Sequence, residues 1–571
     1  MRPSQPIPDP PSTSVPRPPQ PAPPRPPQPS APGPPQASAT RRRSVPLLCL
    51  VLLLLLLLPL VLASCVHVFR EPRIAPTDAP PDGAEPVWVD APVRAHLADG
   101  SIVLFREGVT ITHDRVSGYG IAYSLGLADT SAVASLAMDD VLGLEAYHTD
   151  VNAPLSLLAS VGATVLVPAA IVGIACAMDP KCFGSCPTVY STIGADTVLE
   201  AELFSYSIAP LLEGRDVDVL AGGPLDGVFR LDVRNEAMET HFINQVALLD
   251  VPRRADERVL PDAAEAPVAF RDVRVPVSAR NADGADVLAP IARRDDAVYS
   301  TDPARTAAAA AGGELDDWID LAFALPAEPG DSAALVLRMR NSLLTSVLFY
   351  EMMLGAAGPA ALTWMGDELR QIGSAVQLGS WWVGRMGLRV EVLDAGEWRL
   401  VARVPDSGPI AWNEVAVPLP TDRARADTLR IRVRFAADQW RIDQVALGTH
   451  ARHAPFRTLR PARVQLSDGS PSDAGLRAVR DADDDYLETV AGTRFWIEFD
   501  TGPEPADGER SLLLASQGFY NEWVRPVWLR RSPAGRPFTA DDATLREAMN
   551  LWHGTREEFE RRFAETRIPV R

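Results

Sequence analysis

The stretch from Arg41 to Cys65, RRRSVPLLCLVLLLLLLLPLVLASC, constrains this chain more than any other. Three arginines precede an uncharged apolar run that ends in small residues and a cysteine, the basic, apolar, cleavable order of a secretory signal. No residue from Ser44 to Val66 is charged. At about 1.5 Å per residue such a run is also long enough to cross a hydrocarbon layer of about 30 Å. Arginines on its N-terminal side favour the cytoplasm, so either use of the segment sends the chain beyond Cys65 across the membrane.

The end of the stretch, Leu62, Ala63, Ser64 and Cys65, resembles the lipobox of bacterial lipoproteins. That resemblance implies a diacylglycerol on the Cys65 sulfur and cleavage just before it. The body is then exported and membrane-anchored in the cell envelope, at the outer membrane or periplasmic face in a Gram-negative cell. An uncleaved transmembrane anchor is the competing reading. Residues 1–40 are Pro-rich with almost nothing to bury, which predicts a disordered tail of polyproline II character. Its PRPPQPAPPRPPQP run looks like an SH3-type ligand, although an idle tail or an extension from an upstream start codon is the preferred expectation. Residues 66–86 read as an extended tether.

Net charge is −19 over 571 residues, and because residues 1–64 carry +5, the remainder carries −24. An acidic body argues against nucleic acid or an anionic lipid surface as its partner. Cys49 and Cys65 belong to the signal, leaving Cys176, Cys182 and Cys186. Three thiols in an exported protein suggest one disulfide and one free cysteine, so the chain must fold through its core.

From Val87, alternating apolar and polar residues with Gly-containing turns predict a small β domain over 87–150. Its His96, His113 and His148 lack ligand-like spacing. Residues 151–180 are expected to form an apolar helix around the uncharged run Leu155–Met178. A buried or interfacial helix is preferred there to a second span, which would return the rest of the chain to the cytoplasm.

Next comes DPKCFGSCPT, Asp179 to Thr188. Here the sequence resembles a group of uncharacterised bacterial lipoproteins in which CFGSCPT follows a small-residue apolar stretch, and no activity comes with that resemblance. Read from the residues, Cys182 and Cys186 flank Gly184 and can meet as a disulfide across a tight turn, with Cys176 as a competing partner. The C-x3-C spacing lacks further ligands for a metal and is wrong for a redox pair.

Residues 181–300 repeat short alternating runs at β-sandwich spacing, with Pro261 to Pro267 marking a linker or edge. His241 stands beside Glu239 in METHFIN, an isolated pair and not a site. Over 314–448 the runs DWIDLAFALP, SAALVLRMRNSLL, MGLRVEVLDAGEWRLVARVP, NEVAVPLP, TLRIRVRFA and WRIDQVALG surround a helical insertion near residues 343–373. This succession resembles the galactose-binding-like jelly roll, and the resemblance implies glycan recognition through loop aromatics. Trp381, Trp382 and Trp412 are the glycan-binding candidates, with Trp398 and Trp440 also in the segment.

Residues 451–571 hold two further strands, RFWIEFD and SLLLASQGFYNEWVRP, able to pair with an earlier sheet. DADDDYLE reads as a solvated acidic turn, since Tyr486 stands where a calcium loop requires Gly, and His450 and His453 lack a third ligand. Two short amphipathic helices separated by Gly554 close the chain.

The fold expected is therefore mainly β: tandem antiparallel sandwich or barrel domains with a helical insertion, an apolar helix and short C-terminal helices. No nucleophile elbow, phosphate loop, zinc-helix motif or dinucleotide fingerprint is present, so neither cofactor nor metal is assigned. The expected role is binding or envelope structure by a membrane-tethered lipoprotein, with a glycan or an envelope protein as partner. A glycan-binding jelly roll is the alternative, and a carboxylate-dependent hydrolase, whose acidic pair leaves no local signature, is the second.

Overall fold

The computed structural model describes residues 68–71, 80, 83–90, 93–97, 101–123, 130–146, 148–151, 187–237, 239–295, 297–324, 332–356, 372–420, 428–490, 492–503, 509–522 and 538–565. Cys65, Cys176, Cys182, Cys186 and the Leu155–Met178 run lie outside them. The described residues are mainly β, with antiparallel pairing in every ladder and few helices.

A seven-stranded sheet forms the small β domain. Its order is Val87–Val89, Val109–Ile111, Arg115–Tyr123, Ile102–Phe105, Val93–Leu97, Val141–Ala146, with Thr130–Ala137 on the other edge of Arg115–Tyr123. Val103, Phe105, Val109, Val116 and Leu144 fill its core. Part of the expected tether is also folded: Val68–Glu71 pairs with His148–Val151.

Two sandwiches make up the rest. In the second, Arg258–Pro261, Pro267–Arg274, Trp440–His453, Ala333–Asn341 and Asn413–Leu419 form one sheet, in that order. Ser278–Asn281, Asp316–Ala324, Thr428–Ala436, Leu388–Asp394 and Glu397–Val404 form the other. Alternation drives the packing: Ile319, Leu321 and Phe323 point inward from Asp316–Ala324 to meet Leu335, Leu337 and Met339. The hairpin between Leu388–Asp394 and Glu397–Val404 turns through Ala395 and Gly396, both at positive φ (54° and 93°), which matches the twist of the flanking strands. Pro261 and Pro267 face each other at the end of an edge hairpin, where a missing N–H is tolerated.

The first sandwich is built from both sides of the second in sequence. One sheet runs Asp196–Glu202, Thr188–Ile193, Val228–Arg234, Arg494–Asp500, Arg463–Leu466. The other runs Gly214–Val219, Glu509–Glu522, Glu239–Arg253, Arg457–Leu459, with Leu487–Thr489 also on Glu239–Arg253. RFWIEFD thus pairs back across the molecule, Phe499 opposite Phe229, and Glu509–Glu522 runs beside Glu239–Arg253. Divisions drawn in sequence order separate 181–300 from 451–571, whereas the strand pairing joins them. Leu249, Val251, Val259, Ala269 and Leu513 pack the two sandwiches together.

Helices cap one end of the first sandwich's core. Pro303–Ala310 starts on Asp302, whose side chain accepts from Ala304 N at 2.7 Å, and stops at Gly312 and Gly313. Leu344–Val347 continues as a π-helical segment, Leu348–Gly355, and Ile372–Arg385 follows. The C-terminal pair of helices is instead one continuous helix, Asp542–Glu565. Gly554 costs a helix interior only about 1 kcal/mol, and Leu545, Met549, Trp552 and Phe559 along its buried stripe outweigh that. Among the described residues no helix is long and apolar enough to cross a membrane.

Candidate functional site

The three candidate tryptophans have different fates. Trp382 is fully buried on the Ile372–Arg385 helix, its Nε1 donating to Asp406 Oδ2 at 3.2 Å, so its ring offers no face to a ligand. Trp381 is half-buried and meets Trp382 edge-on at 5.9 Å. Trp412 lines a cleft. Trp440 is a core residue bonded to Met386 O, and Trp398 lies against Arg432 on the outer sheet face.

That cleft, about 660 Å³, opens between the two sandwiches. Its floor comes from Val219, Val259 and Leu260, and its walls from charged side chains. Arg338 and Glu414 are cross-strand partners, and Glu414 accepts from Arg258 at 2.8 Å and Arg294 at 2.8 Å and lies 3.3 Å from Arg338. Arg338 also bonds Asp443, while the guanidinium carbons of Arg338 and Arg340 lie 4.7 and 5.0 Å from the Trp412 ring centre. Such contacts hold an indole in place as well as burying it.

Two buried acids of the first sandwich position the Trp412 loop. Glu202 accepts from the backbone N–H groups of Ile410 and Ala411, both at 2.7 Å, and Asp218 accepts from Asn413 Nδ2 at 2.9 Å. Glu200 does the same for the opposite wall, accepting from Ala221 N at 2.7 Å and Gly222 N at 2.8 Å. At Gly222 a Cβ would stand 2.3 Å from Ser191 Oγ, so only glycine lets this loop approach. Glu257 lies at the rim. Burial works to raise its pKa, but hydrogen bonds from Arg254 N and Arg452 hold the carboxyl below its ordinary range.

The lining therefore carries four arginines (Arg253, Arg258, Arg294, Arg338) and four glutamates (Glu200, Glu257, Glu414, Glu509). Charge is compensated, so the cleft has little field with which to capture an ion. It has instead a fixed array of donors and acceptors next to an aromatic ring. A second cleft of about 640 Å³ shares Ala221 with it and contains Arg230, Arg494 and Trp496. There Asp232 tends to be raised by burial, but Arg494 and Arg234 hold it below the ordinary carboxylate range.

The His241 and Glu239 pair is fully buried: Nε2 lies 3.2 Å from Glu239 Oε2 and Nδ1 3.3 Å from Thr489 Oγ1. Burial pushes His241 down to about 3. A neutral ring with its proton on Nε2 serves both neighbours, so this is a structural pair inside the first sandwich. The acidic part of DADDDYLE is an exposed turn, with Asp485 N bonded to Asp483 Oδ1, and its Leu487 and Glu488 begin the strand Leu487–Thr489. His450 and His453 lie beside different acids, Asp272 and Asp262, each at 3.9 Å. Among the described residues no group of three His, Cys, Asp or Glu is placed to hold a metal.

No protein-family model matches the chain, and no curated protein matches it. Two solved viral structures align weakly. One, of infectious bursal disease virus Gt strain, covers 67% of this chain and 87% of its own at 10% identity and a TM-score of 0.11. The other, a point mutant of the VP2 protein of the same virus, covers 67% and 80% at 9% identity, also with a TM-score of 0.11. A likeness at that score defines no common fold.

Proposed function

We propose that the protein is a membrane-tethered, exported lipoprotein with a binding role in the envelope, and that its body takes a saccharide in the cleft beside Trp412. The observation carrying the ligand class is the compensated lining around Glu414. A sugar hydroxyl both donates and accepts, and arginines and glutamates held in mutual ion pairs supply both partners without a net field. An anionic or cationic ligand would instead favour an excess of one sign. Trp412 adds an apolar surface for the C–H face of a ring. Trp412, Glu414 and Arg338 come from residues 314–448, the segment with the galactose-binding-like resemblance, and the facing wall comes from the first sandwich.

Retention of the purified protein on immobilised envelope polysaccharides tests the reading. Wild type is retained, and Trp412→Ala and Arg258→Ala are each eluted early while keeping the wild-type circular dichroism. Absence of retention for the wild type across neutral and amino-sugar polymers would remove the saccharide and leave an envelope-structural role.

A further inference from the structure

We propose that the small β domain rests on the lipid bilayer to which the chain is tethered, with Trp88 and Tyr119 in the headgroup layer. The inference rests on the tether reading of Arg41 to Cys65, and it begins from a strand register. Val68–Glu71 pairs antiparallel with His148–Val151, and Val68 stands opposite Val151. Cys65 comes three residues before Val68, and the uncharged run starting at Leu155 comes four residues after Val151. Both apolar stretches of the sequence therefore join the same end of one ladder.

Chain length then fixes the distance. At no more than about 3.6 Å per residue, Cys65 lies within about 11 Å of the ladder. The headgroup region adds only about 5–8 Å to each side of the hydrocarbon. The ladder is separated from the small domain by one residue, since the strand Val141–Ala146 ends just before His148. The domain joins the far end of this four-residue ladder, where His148 stands opposite Glu71, so a lipid on Cys65 leashes it within about 30 Å of the membrane surface.

One face of the domain suits the contact. Trp88 (59% exposed) and Tyr119 (67% exposed) are the most exposed large aromatic side chains among the described residues. Trp88 is opposite Thr110, Thr110 opposite Ser117 and Ser117 opposite Ser135, a row of uncharged residues that ends where the exposed Arg115 donates to Ser135 Oγ, with Tyr119 two residues on from Ser117. Indole and phenol rings with a polar tip favour the membrane–water interface. The acidic body repels an anionic surface, so the contact runs through rings and not through charge, and it persists in zwitterionic lipid.

The test uses the full lipid-modified chain in phosphatidylcholine vesicles, with and without brominated acyl chains, which quench indoles near the bilayer. In the expected result the chain floats with the vesicles, and Trp88→Phe loses most of the bromolipid-quenched emission while Trp412→Phe keeps it. The docking is overturned if the chain floats and Trp88→Phe leaves the quenched fraction unchanged. If the chain does not float, the tether reading fails and the docking fails with it.

Discussion

The indole Nε1 of Trp552 donates to Asp438 Oδ2 at 2.6 Å, tying the C-terminal helix to the second sandwich. Asp438 sits in a tight turn at φ 60°, and its other oxygen, Oδ1, accepts from Arg441 at 2.7 Å. One carboxylate thus links the helix, the turn and the strand Trp440–His453. Trp552→Phe keeps most of the ring volume and removes the donor. A hydrogen bond to a buried charged group contributes about 1.5–3 kcal/mol, and a loss of that size is expected. Hydrogen exchange reads it locally, as faster exchange along Asp542–Glu565, with the small β domain unchanged as the internal control.

His241 makes stability pH-dependent with a definite sign. Its pKa falls from 6.5 to about 3 on folding because burial disfavours the charged ring. Between those values the unfolded chain binds a proton that the folded one does not, so acidification favours unfolding. Stability is full above pH 6.5 and declines toward pH 3 by up to about 1.4 kcal/mol per pH unit. Depressed carboxyls such as Asp232 add their own loss only below about pH 3.8, where the unfolded chain takes up the proton before the folded one does. The urea midpoint between pH 6.5 and 4.5 should therefore fall in wild type and flatten in His241→Gln, whatever the variant's absolute stability.

Gly214 is required by Tyr206. A Cβ at Gly214 would lie 1.1 Å from the Tyr206 hydroxyl oxygen, which is buried and donates to Arg215 O at 3.2 Å. Gly214→Ala must expel the phenol from the first sandwich, a forced overpacking that costs about 1–3 kcal/mol. Adding Tyr206→Leu removes the clash, so the double variant should be more stable than Gly214→Ala alone. Thermal unfolding of the four proteins of this cycle checks the coupling.

Much of the β architecture was legible because alternation is a local signal: DWIDLAFA reads as a strand with Ile319, Leu321 and Phe323 inside, and it is one. Strand partners were not legible in the same way. Phe499 pairs with Phe229 across the whole intervening sandwich, and nothing within either strand encodes that choice. Trp382 and Trp412 have the same chemistry, and only the path of the helix and the loop makes one core and the other a cleft wall. The buried acids Glu202 and Asp218, which hold the Trp412 loop, sit in strands where alternation alone suggests solvent-facing residues. The polyalanine helix after Asp302 carried a readable start signal, an Asp followed by Pro, and a readable stop in its two glycines.

Glu414 decides which ligands the cleft accepts. Three guanidinium groups, from Arg258, Arg294 and Arg338, approach its two oxygens within 3.3 Å. Glu414→Gln keeps the shape and removes one negative charge, and the amide nitrogen repels at least one of the three arginines. The lining then carries an uncompensated positive charge in a half-enclosed site, where the local dielectric amplifies it over its value in bulk water. Binding of a neutral saccharide should weaken by about tenfold as paired donors lose their fixed orientation, corresponding to ~1.4 kcal/mol. Inorganic phosphate or sulfate should leave the wild type unchanged and stabilise the variant, and that gain should disappear as sodium chloride is raised. Thermal shift with and without phosphate, measured for wild type, Glu414→Gln and Glu414→Gln/Arg258→Ala, separates the two effects. The double variant restores neutrality, so it should lose the phosphate response and leave the saccharide loss in place. A phosphate response already present in wild type would show that the cleft recognises anions and not hydroxyls.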